Sequence, residues 1–426
     1  MIDSVSERDM RLKRTVRPMG AQERLLYLYS RRHHRHFCLV GEISGCFGFL
    51  ELGAALYKAQ MRHPHLWYAV EDDDDGPHFI EHIRPAPLET REPKGRDGWR
   101  GTVEAELARP FDPWVAPLLR VAVVQAQSES RRFYVVLTFH HAIADGLSGV
   151  ALLNDIVSSL NGNELVVAPR RPSVEDLVRC SENKQPGDAT GRSVQDCAAV
   201  GRVRSQSLWR PFSGDRPQIT SASLDRNTTN ALIENSRKHG TTVNGALSAA
   251  LAMANAGNHP TGSYSILSPI NIRPLANVDP NEVGLFVSVA IVEQRLDLLT
   301  SFWDTARSYS DAVSKMRTKE NILRNMWRLE SSLPQMATTN VACGLARGYD
   351  AVISNLGSIH APPSGGVAKL DAVWGPLVLG RIKNERMIGA ATLQGSLRLT
   401  EARPIHMPES LGSTAALLTN AALSST

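Results

Sequence analysis

Residues 131–139 are dense in β-branched and aromatic side chains, and this segment constrains the fold more than any other part of the chain. These residue types favour a β-strand. Because the apolar residues run almost without interruption, both faces of the strand are predicted to be buried. Such a strand is expected in the interior of a sheet that other layers cover.

Two histidines follow this strand directly, in the run His140-His141-Ala142-Ile143-Ala144-Asp145-Gly146. Helical spacing of apolar residues over 146–160 predicts a tight turn and then a helix. A histidine at the end of a buried strand is held rigidly in the wall of a cleft, and an ordinary pKa near 6.5 lets its neutral ring accept a proton near pH 7. Gly146 allows the backbone to approach other groups closely or to adopt unusual angles.

At 426 residues the chain is too long for one ordinary core, so two domains or two halves of a pseudo-dimer are expected. Strand and helix patterns occur in both parts, which predicts an α/β fold with mixed sheets. Residues 166–215 are rich in Arg, Pro, Ser, Asp and Gly, which is typical of a linker. We predict a first half at 18–165, a crossover linker at 166–215 and a second half at 216–426.

The composition excludes several classes of protein. Hydrophobic residues make up 42% and charged residues 21% of the chain, as in a soluble globular enzyme. The net charge of +4 permits an anionic partner, such as a phosphate-bearing cofactor or an acidic carrier protein. A nucleic-acid binder would carry a denser basic stripe, so no nucleic-acid partner is predicted.

Targeting and metal-binding signals are also missing from the sequence. Residues 1–17 lack the apolar core of a signal peptide, and no apolar run reaches the roughly 18 residues of a membrane span. Five cysteines without C-x-x-C pairs predict reduced thiols in a cytoplasmic protein. The acidic run at 71–75 is interpreted as a solvated hairpin turn, so no metal site is predicted.

Common catalytic motifs do not occur elsewhere in the chain. The sequence has no G-x-S-x-G elbow, no H-E-x-x-H, no phosphate-binding G-x-x-x-x-G-K and no G-x-G-x-x-G that opens a helix. A second histidine-rich run, His33-His34-Arg35-His36, lies in a basic stretch without Asp-Gly and is interpreted as accidental. The histidine pair after the buried strand is therefore the best candidate for acid–base chemistry.

The run from His140 to Gly146 resembles the HHxxxDG signature of the chloramphenicol-acetyltransferase-like superfamily, which includes condensation domains and wax ester synthases. The likeness extends from about residue 20 to the C-terminus. It includes the segments Arg109-Pro110-Phe111-Asp112, Gly240-Thr241-Thr242-Val243, Asn271-Ile272-Arg273-Pro274 and Ser354-Asn355-Leu356-Gly357. Where plant members carry D-F-G-W-G, this chain reads Asp371-Ala372-Val373-Trp374-Gly375, so free-standing bacterial polyketide-associated acyltransferases are the favoured relatives.

This resemblance implies two α/β halves that meet at a central tunnel, with donor and acceptor entering from opposite faces. It implies that His141 takes a proton from an acceptor, which then attacks a thioester without a covalent enzyme intermediate. His140 and Gly146 would support the active-site loop.

The resemblance also assigns supporting roles at more distant positions. Asp145 would turn away from the imidazole and pair with Arg273, so that Asp145→Ala is expected to harm folding as much as chemistry. Ser354 and, less directly, Asn355 are candidate oxyanion or substrate contacts, although both also fit ordinary strand-end residues. Trp374 is a candidate substrate contact as well, with packing of the channel wall favoured.

Three functions stay open. An O-acyltransferase that esterifies a small-molecule alcohol of secondary metabolism or lipid is favoured, and the alternatives are an amide-forming condensation enzyme and a non-catalytic binding module. The acyl donor would be acyl-coenzyme A or an acyl group on a carrier protein's phosphopantetheine arm. No permanent cofactor is expected, and the protein is expected to be a monomer. Arg202, Arg204 and Arg210 are predicted to be exposed, where they would meet an anionic donor.

Overall fold

A computed structural model describes residues 13–93, 98–125, 131–181, 208–211, 216–256, 263–295, 301–363 and 365–424. The strands are β1 (Lys13–Pro18), β2 (His36–Gly45), β3 (Tyr68–Asp73), β4 (Gly76–His82), β5 (Leu88–Arg91), β6 (Leu119–Gln125), β7 (Arg132–His140), β8 (Pro217–Leu224), β9 (Ser263–Asn271), β10 (Val287–Arg295), β11 (Ala351–Ile359), β12 (Ala368–Val378), β13 (Arg386–Leu393) and β14 (Ser396–Pro404).

The helices are α1 (Ala21–His33), α2 (Phe49–Arg62), α3 (Trp99–Leu107), α4 (Gly146–Leu160), α5 (Val174–Ser181), α6 (Arg226–Lys238), α7 (Val243–Asn255), α8 (Arg273–Ala276), α9 (Phe302–Met316), α10 (Lys319–Ser332), α11 (Thr339–Gly344) and α12 (Leu411–Leu423). A short 3-10 helix, Pro64–Trp67, stands before β3. The apolar run at 66–70 predicts a strand from Leu66, but the strand begins at Tyr68, because Pro64 favours the first turn of a helix.

The apolar segment at 131–139 is strand β7, and it lies inside a five-stranded sheet with the order β12-β2-β7-β6-β5. Val135, Val136 and Leu137 are fully buried. β7 runs antiparallel to both β2 and β6, whereas β5 and β6 are parallel. The prediction of a strand buried on both faces is confirmed, because residues 135–140 are all buried and helix α3 packs against the strand.

The second half is built on a six-stranded sheet with the order β10-β9-β11-β13-β14-β8. In this sheet β11 is parallel to β9 and β13, and the other pairs are antiparallel. Helices α7, α9 and α12 pack together against it. The predicted fold class, an α/β pseudo-dimer with mixed sheets, is confirmed.

One strand joins the two sheets. β12 lies within residues 216–426, the predicted second half, but it pairs with β2 at the edge of the first sheet. β12 also packs against β13 and β14 of the second sheet. Backbone hydrogen bonds therefore tie the two halves together.

The predicted linker at 166–215 is described only in part, because 182–207 and 212–215 lie outside the described residues. Helix α5 occupies part of the linker and buries Val174 and Val178. Arg202 and Arg204 are not described. The expectation of an exposed Arg210 is wrong, since only 8% of this residue is accessible and its guanidinium donates to the Ile382 carbonyl.

Within the described part of the chain, no helix is both long and apolar enough to cross a membrane. Four of the five cysteines are described, and they are free thiols: Cys38, Cys46, Cys180 and Cys343.

Candidate active site

The end of β7 is brought next to the start of β2 by antiparallel pairing, in which His140 stands opposite His36. One residue further on, the backbone N–H of His141 donates to the carbonyl of Arg35 at 2.9 Å. The ring of His141 packs on Phe37, with 4.9 Å between the ring centres. The position of His141 is therefore set by two strands and not by its own loop alone.

The tautomer of His141 follows from its hydrogen bond. Nδ1 lies 3.0 Å from the carbonyl oxygen of Ala144. A carbonyl oxygen only accepts, so Nδ1 carries the proton and Nε2 carries the lone pair. Nε2 makes no hydrogen bond to any described residue, and His141 lines the large cavity between the halves. The accepting nitrogen is thus free for a ligand.

Burial lowers the pKa of His141 below its ordinary value, and the nearby charge of Arg35 lowers it further. The hydrogen bond to Ala144 and the carboxylate of Asp145 act in the opposite direction without cancelling this effect. The ring is consequently neutral at pH 7, which is the protonation state that a general base requires.

His140, unlike His141, does not line the cavity. Only 2% of the residue is accessible, and burial lowers the pKa of its ring to about 3. Its Nδ1 accepts a hydrogen bond from the N–H of Ala142 at 3.2 Å, and Phe111 packs edge-on against it. His140 therefore shapes the turn as a neutral, buried ring.

Asp145 holds the loop to the other half of the protein. Arg273 Nη1 lies 2.7 Å from Asp145 Oδ2, and Arg273 Nη2 lies 2.9 Å from Oδ1. Asp145 is also the N-cap of α4, because Oδ1 accepts from the N–H of Ser148, and Oδ2 accepts from the N–H of Phe286. Burial alone would raise the pKa of Asp145, but Arg273 and Ser148 outweigh it and keep the pKa below its usual range.

Gly146 is needed for close packing and not for an unusual backbone angle. A Cβ at this position would lie 2.8 Å from Leu356 Cδ2 and 2.8 Å from Pro376 Cγ. Residue 146 is therefore where the first turn of α4 touches the second half of the chain.

The cavity measures about 1210 Å³ and is lined by both halves. His141, Asp145 and Gly146 line it from the first half, and Ser354 and Asn355 of β11 line it from the second. The structure thus brings these predicted site residues, together with Arg273, to one cavity.

Ser354 and Asn355 differ in what their side chains offer to the cavity. The Ser354 hydroxyl makes no hydrogen bond to any described residue, so it is available to a ligand. The side-chain oxygen of Asn355 already accepts from the N–H of Gly357 at 2.9 Å. Ser354 is therefore the better candidate for a hydrogen-bond donor to substrate.

Trp374 does not line this cavity. Its ring packs on Trp99 at 5.7 Å between centres, and the guanidinium of Arg398 lies over it at 5.4 Å. Its Nε1 donates to Glu42 at 3.4 Å. The structure thus gives Trp374 the packing role and no contact with a ligand of this cavity.

The histidines of His33-His34-Arg35-His36 do not line the cavity, but Arg35 of the same run lines it beside His141 and was missed. Phe37, the next cavity residue along β2, was also missed. No local signal marks Arg35 in the sequence, since the pairing of β2 with β7 is what brings it to the site. Within the described residues no cluster of His, Cys, Asp or Glu could hold a metal ion.

Comparisons with known proteins cover most of the chain. The model of the wax ester synthase/diacylglycerol acyltransferase catalytic domain matches residues 55–255. The model of the phthiocerol/phthiodiolone dimycocerosyl transferase C-terminus matches residues 213–365.

The curated relatives are much longer proteins. A plipastatin synthase of Bacillus subtilis (strain 168) is 26% identical over 266 residues, which is 60% of this chain and 10% of that protein. Tyrocidine synthase 3 of Brevibacillus parabrevis is 22% identical over 352 residues, or 77% of this chain and 5% of that protein. The chain spans a tenth or less of these relatives.

Solved structures share the whole fold. Polyketide synthase associated protein 5 from Mycobacterium tuberculosis has a TM-score of 0.64 at 16% identity, with 96% and 99% of the two chains covered. Trichothecene 15-O-acetyltransferase from Fusarium sporotrichioides has a TM-score of 0.69 at 13% identity, with 96% and 95% covered. The first condensation domain of the CDA synthetase has a TM-score of 0.67 at 15% identity, with 96% of each chain covered. The chain therefore shares the fold of these acyltransferases and condensation domains, and two parts of it match models of acyltransferase families.

Proposed function

We propose that the protein transfers an acyl group from a thioester to the hydroxyl of a small-molecule acceptor, with His141 as general base. One observation carries the proposal. The Nδ1 proton of His141 is engaged by the Ala144 carbonyl, which leaves Nε2 as a free acceptor at a cavity shared by both halves. A neutral imidazole in such a position accepts a proton from a bound alcohol.

The reaction follows from this arrangement. Nε2 takes the hydroxyl proton as the acceptor oxygen attacks the carbonyl carbon of the thioester. A C–O bond forms, and the carbonyl electrons move to oxygen in a tetrahedral intermediate. The intermediate collapses with cleavage of the C–S bond, and the imidazolium returns its proton to the departing sulfur. The products are an ester and a thiol, and His141 is neutral again.

The negative oxygen of the intermediate needs a hydrogen-bond donor. We assign this role to the Ser354 hydroxyl, because it faces the same cavity as His141 and is not engaged by any described residue. Asp145 takes no proton in this scheme, since both of its oxygens are occupied by Arg273, Ser148 and Phe286. Its role is to hold the loop.

An amine acceptor is the second candidate, because one of the solved structures that share the fold is a condensation domain. The same nitrogen of His141 would then take a proton from the attacking amine, and the product would be an amide. We keep a hydroxyl acceptor as the proposal. The family models that match the chain are both named for acyl transfer and not for condensation.

The experiment is an assay of thiol release from acyl-coenzyme A thioesters of graded length, with a panel of alcohols and amines. We expect release that depends on an alcohol and an ester product by mass spectrometry. His141→Gln should lower kcat by about 10²–10⁴-fold, whereas His406→Gln, an exposed histidine outside the cavity, should leave it unchanged. An amide product would replace the proposal by its alternative. Full activity of a folded His141→Gln variant would refute the mechanism.

A further inference from the structure

Two neighbouring arginines in the predicted linker form ion pairs with opposite halves of the protein. Arg170 Nη2 lies 2.6 and 2.8 Å from the two carboxylate oxygens of Glu81, on strand β4 of the first half. Arg171 binds Glu282 of the second half through two nitrogens, Nε at 2.8 Å and Nη2 at 2.7 Å. The segment that connects the halves along the chain therefore also connects them through side chains.

The pair between Arg171 and Glu282 is mostly shielded from solvent. The two side chains are 27% and 7% exposed. A guanidinium that holds a carboxylate through two parallel hydrogen bonds fixes its orientation as well as its distance. The carbonyl of Arg171 accepts a hydrogen bond from Arg17 Nε at 3.1 Å, so the main chain is anchored at the same residue. Glu282 is thus held by a residue of the linker with a fixed backbone.

Helix α5, which follows the two arginines, packs on the short helix α8. Val174 and Val178 of α5 belong to the same apolar core as Ile272 and Ala276. Helix α8 begins at Arg273, the partner of the active-site aspartate. The linker therefore rests on the element that supplies one end of the buried ion pair.

Glu282 lies in the loop between α8 and β10, and the main chain of this loop contacts both members of that ion pair. The carbonyl of Glu282 accepts a hydrogen bond from Arg273 Nη2 at 3.1 Å. Four residues later, the N–H of Phe286 donates to Asp145 Oδ2 at 3.1 Å. A shift of this loop would therefore disturb the contacts that hold Asp145, and with them the turn that carries the base.

We propose that Arg171 is a positioning residue for the reaction: by holding Glu282, it fixes the loop before β10 and thereby the turn that carries His141. The inference rests on the proposed acyl transfer. Arg171 is not among the described residues that line the cavity, so its effect would pass through other residues. A general base must lie within hydrogen-bond reach of the proton that it takes, and a small displacement lowers the rate strongly.

The first test is the steady-state kinetics of thiol release in four variants of the full chain. Arg171→Gln and Glu282→Gln break the contact from either side, and the double variant breaks it once. Arg171→Lys keeps the charge but loses the two-point contact. The matched control is Arg170→Gln, which removes the same charge one residue away and breaks an ion pair to the first half. Thermal unfolding verifies that each variant is folded.

We expect Arg171→Gln to lower kcat by about tenfold to hundredfold, with a smaller change in KM. The double variant should be no less active than Arg171→Gln, because both substitutions remove one and the same contact. Arg171→Lys should regain part of the lost kcat, and Arg170→Gln should keep the kcat of the natural protein. Glu282→Gln gives the same result independently if Arg171→Gln does not fold.

A second measurement reads the position of His141 without turnover. Nitrogen-15 NMR of the histidine rings, assigned with His141→Gln, reports which ring nitrogen carries the proton. In the natural protein this is Nδ1, which faces the Ala144 carbonyl at 3.0 Å. Arg171→Gln should loosen that contact and shift the His141 signals towards exchange between the two tautomers. Arg170→Gln should leave these signals unchanged.

A natural kcat in folded Arg171→Gln, or an equal loss in Arg170→Gln, would overturn the inference. Additive losses in the double variant would overturn it as well. The proposed function fails separately, because absence of thiol release from the natural protein refutes acyl transfer whatever Arg171 does. The NMR signals then decide alone: a shift confined to Arg171→Gln would support the positioning role, and unchanged signals would refute it.

Discussion

Asp145 is paired with Arg273, which lies 128 residues further along the chain, and not with His141 in its own loop. The two side chains are 2% and 1% exposed, so the pair is buried. The first residue belongs to the first half, and the second begins the short helix α8 of the second half. The contact therefore fixes the loop that carries His141 relative to the opposite wall of the cavity.

Removal of this carboxylate is expected to destabilise the protein. Asp145→Ala leaves Arg273 buried without its partner, and we expect the free energy of unfolding to fall by about 3–5 kcal/mol. Chemical denaturation measures this change. Asp225→Ala is the control, because Asp225 caps α6 in the same manner but is exposed and pairs with no arginine among the described residues. Equal stability of the two variants would contradict the role of Asp145.

The pH dependence of activity tests the state of His141. Its neutral ring is the active form, so kcat/KM should fall as the pH falls through its pKa. Because burial and Arg35 lower this pKa, the acid limb should lie below the ordinary histidine value of about 6.5. Arg35→Gln should move the limb to higher pH, but only in part, since burial is the larger cause. An acid limb at or above 6.5 in the natural protein would argue against this assignment.

Ser354→Ala tests the oxyanion donor. Loss of one such donor lowers kcat by about 10²–10³-fold, and KM should change much less because the contact strengthens in the transition state. Ser358→Ala, on the same strand but exposed, should keep full activity. Steady-state kinetics of both variants test this role. A normal kcat in Ser354→Ala would show that Ser354 is an ordinary strand residue and not the oxyanion donor.

Gly146→Ala tests the contact between α4 and the second half. The new methyl group would press on Leu356 and on the rigid ring of Pro376, so we expect a loss of about 1–3 kcal/mol in the free energy of unfolding. Gly344→Ala provides the comparison, because no atom of the described residues lies within 4 Å of its Cβ position. If thermal unfolding finds the two variants equally stable, the contact is looser than described.

Buried histidines should make the protein sensitive to acid. Burial lowers the pKa of His140 and of His65 to about 3 each in the folded protein. The unfolded chain binds a proton at each ring near pH 6.5, so it holds more protons than the folded chain between about pH 6.5 and 3. The free energy of unfolding should therefore fall with pH in this window, by about 1.4 kcal/mol per pH unit for each histidine.

His65→Phe should reduce this acid slope, whereas His406→Phe, an exposed histidine, should leave it unchanged. Urea denaturation at several pH values measures the slope. A slope that is the same in all three proteins would mean that His65 is protonated in the folded state.

Local sequence patterns predicted the elements with strong periodicity. Amphipathic spacing of apolar residues predicts a helix over 302–316, which is α9 with the same bounds, and the strand predicted at 131–139 is β7 within one residue at each end. Helices α3 and α10 and strand β14 were not predicted. The apolar residues of α10 are sparse, because much of that helix is exposed beside the cavity. The hydrophobic periodicity of a sequence is a weak signal where a helix or strand buries few of its residues.

The sequence by itself determined the segment that carries the candidate base: a buried strand, a tight turn and a helix, with His141 at the strand end. Short-range periodicity is enough for that. The pairing of Asp145 with Arg273 was expected from the family resemblance and not from the spacing of the residues. Only the tertiary structure decided that Arg35 stands beside His141 and that Trp374 lies outside the cavity. Such neighbours are far apart in the chain, and strand register and packing between the halves bring them together.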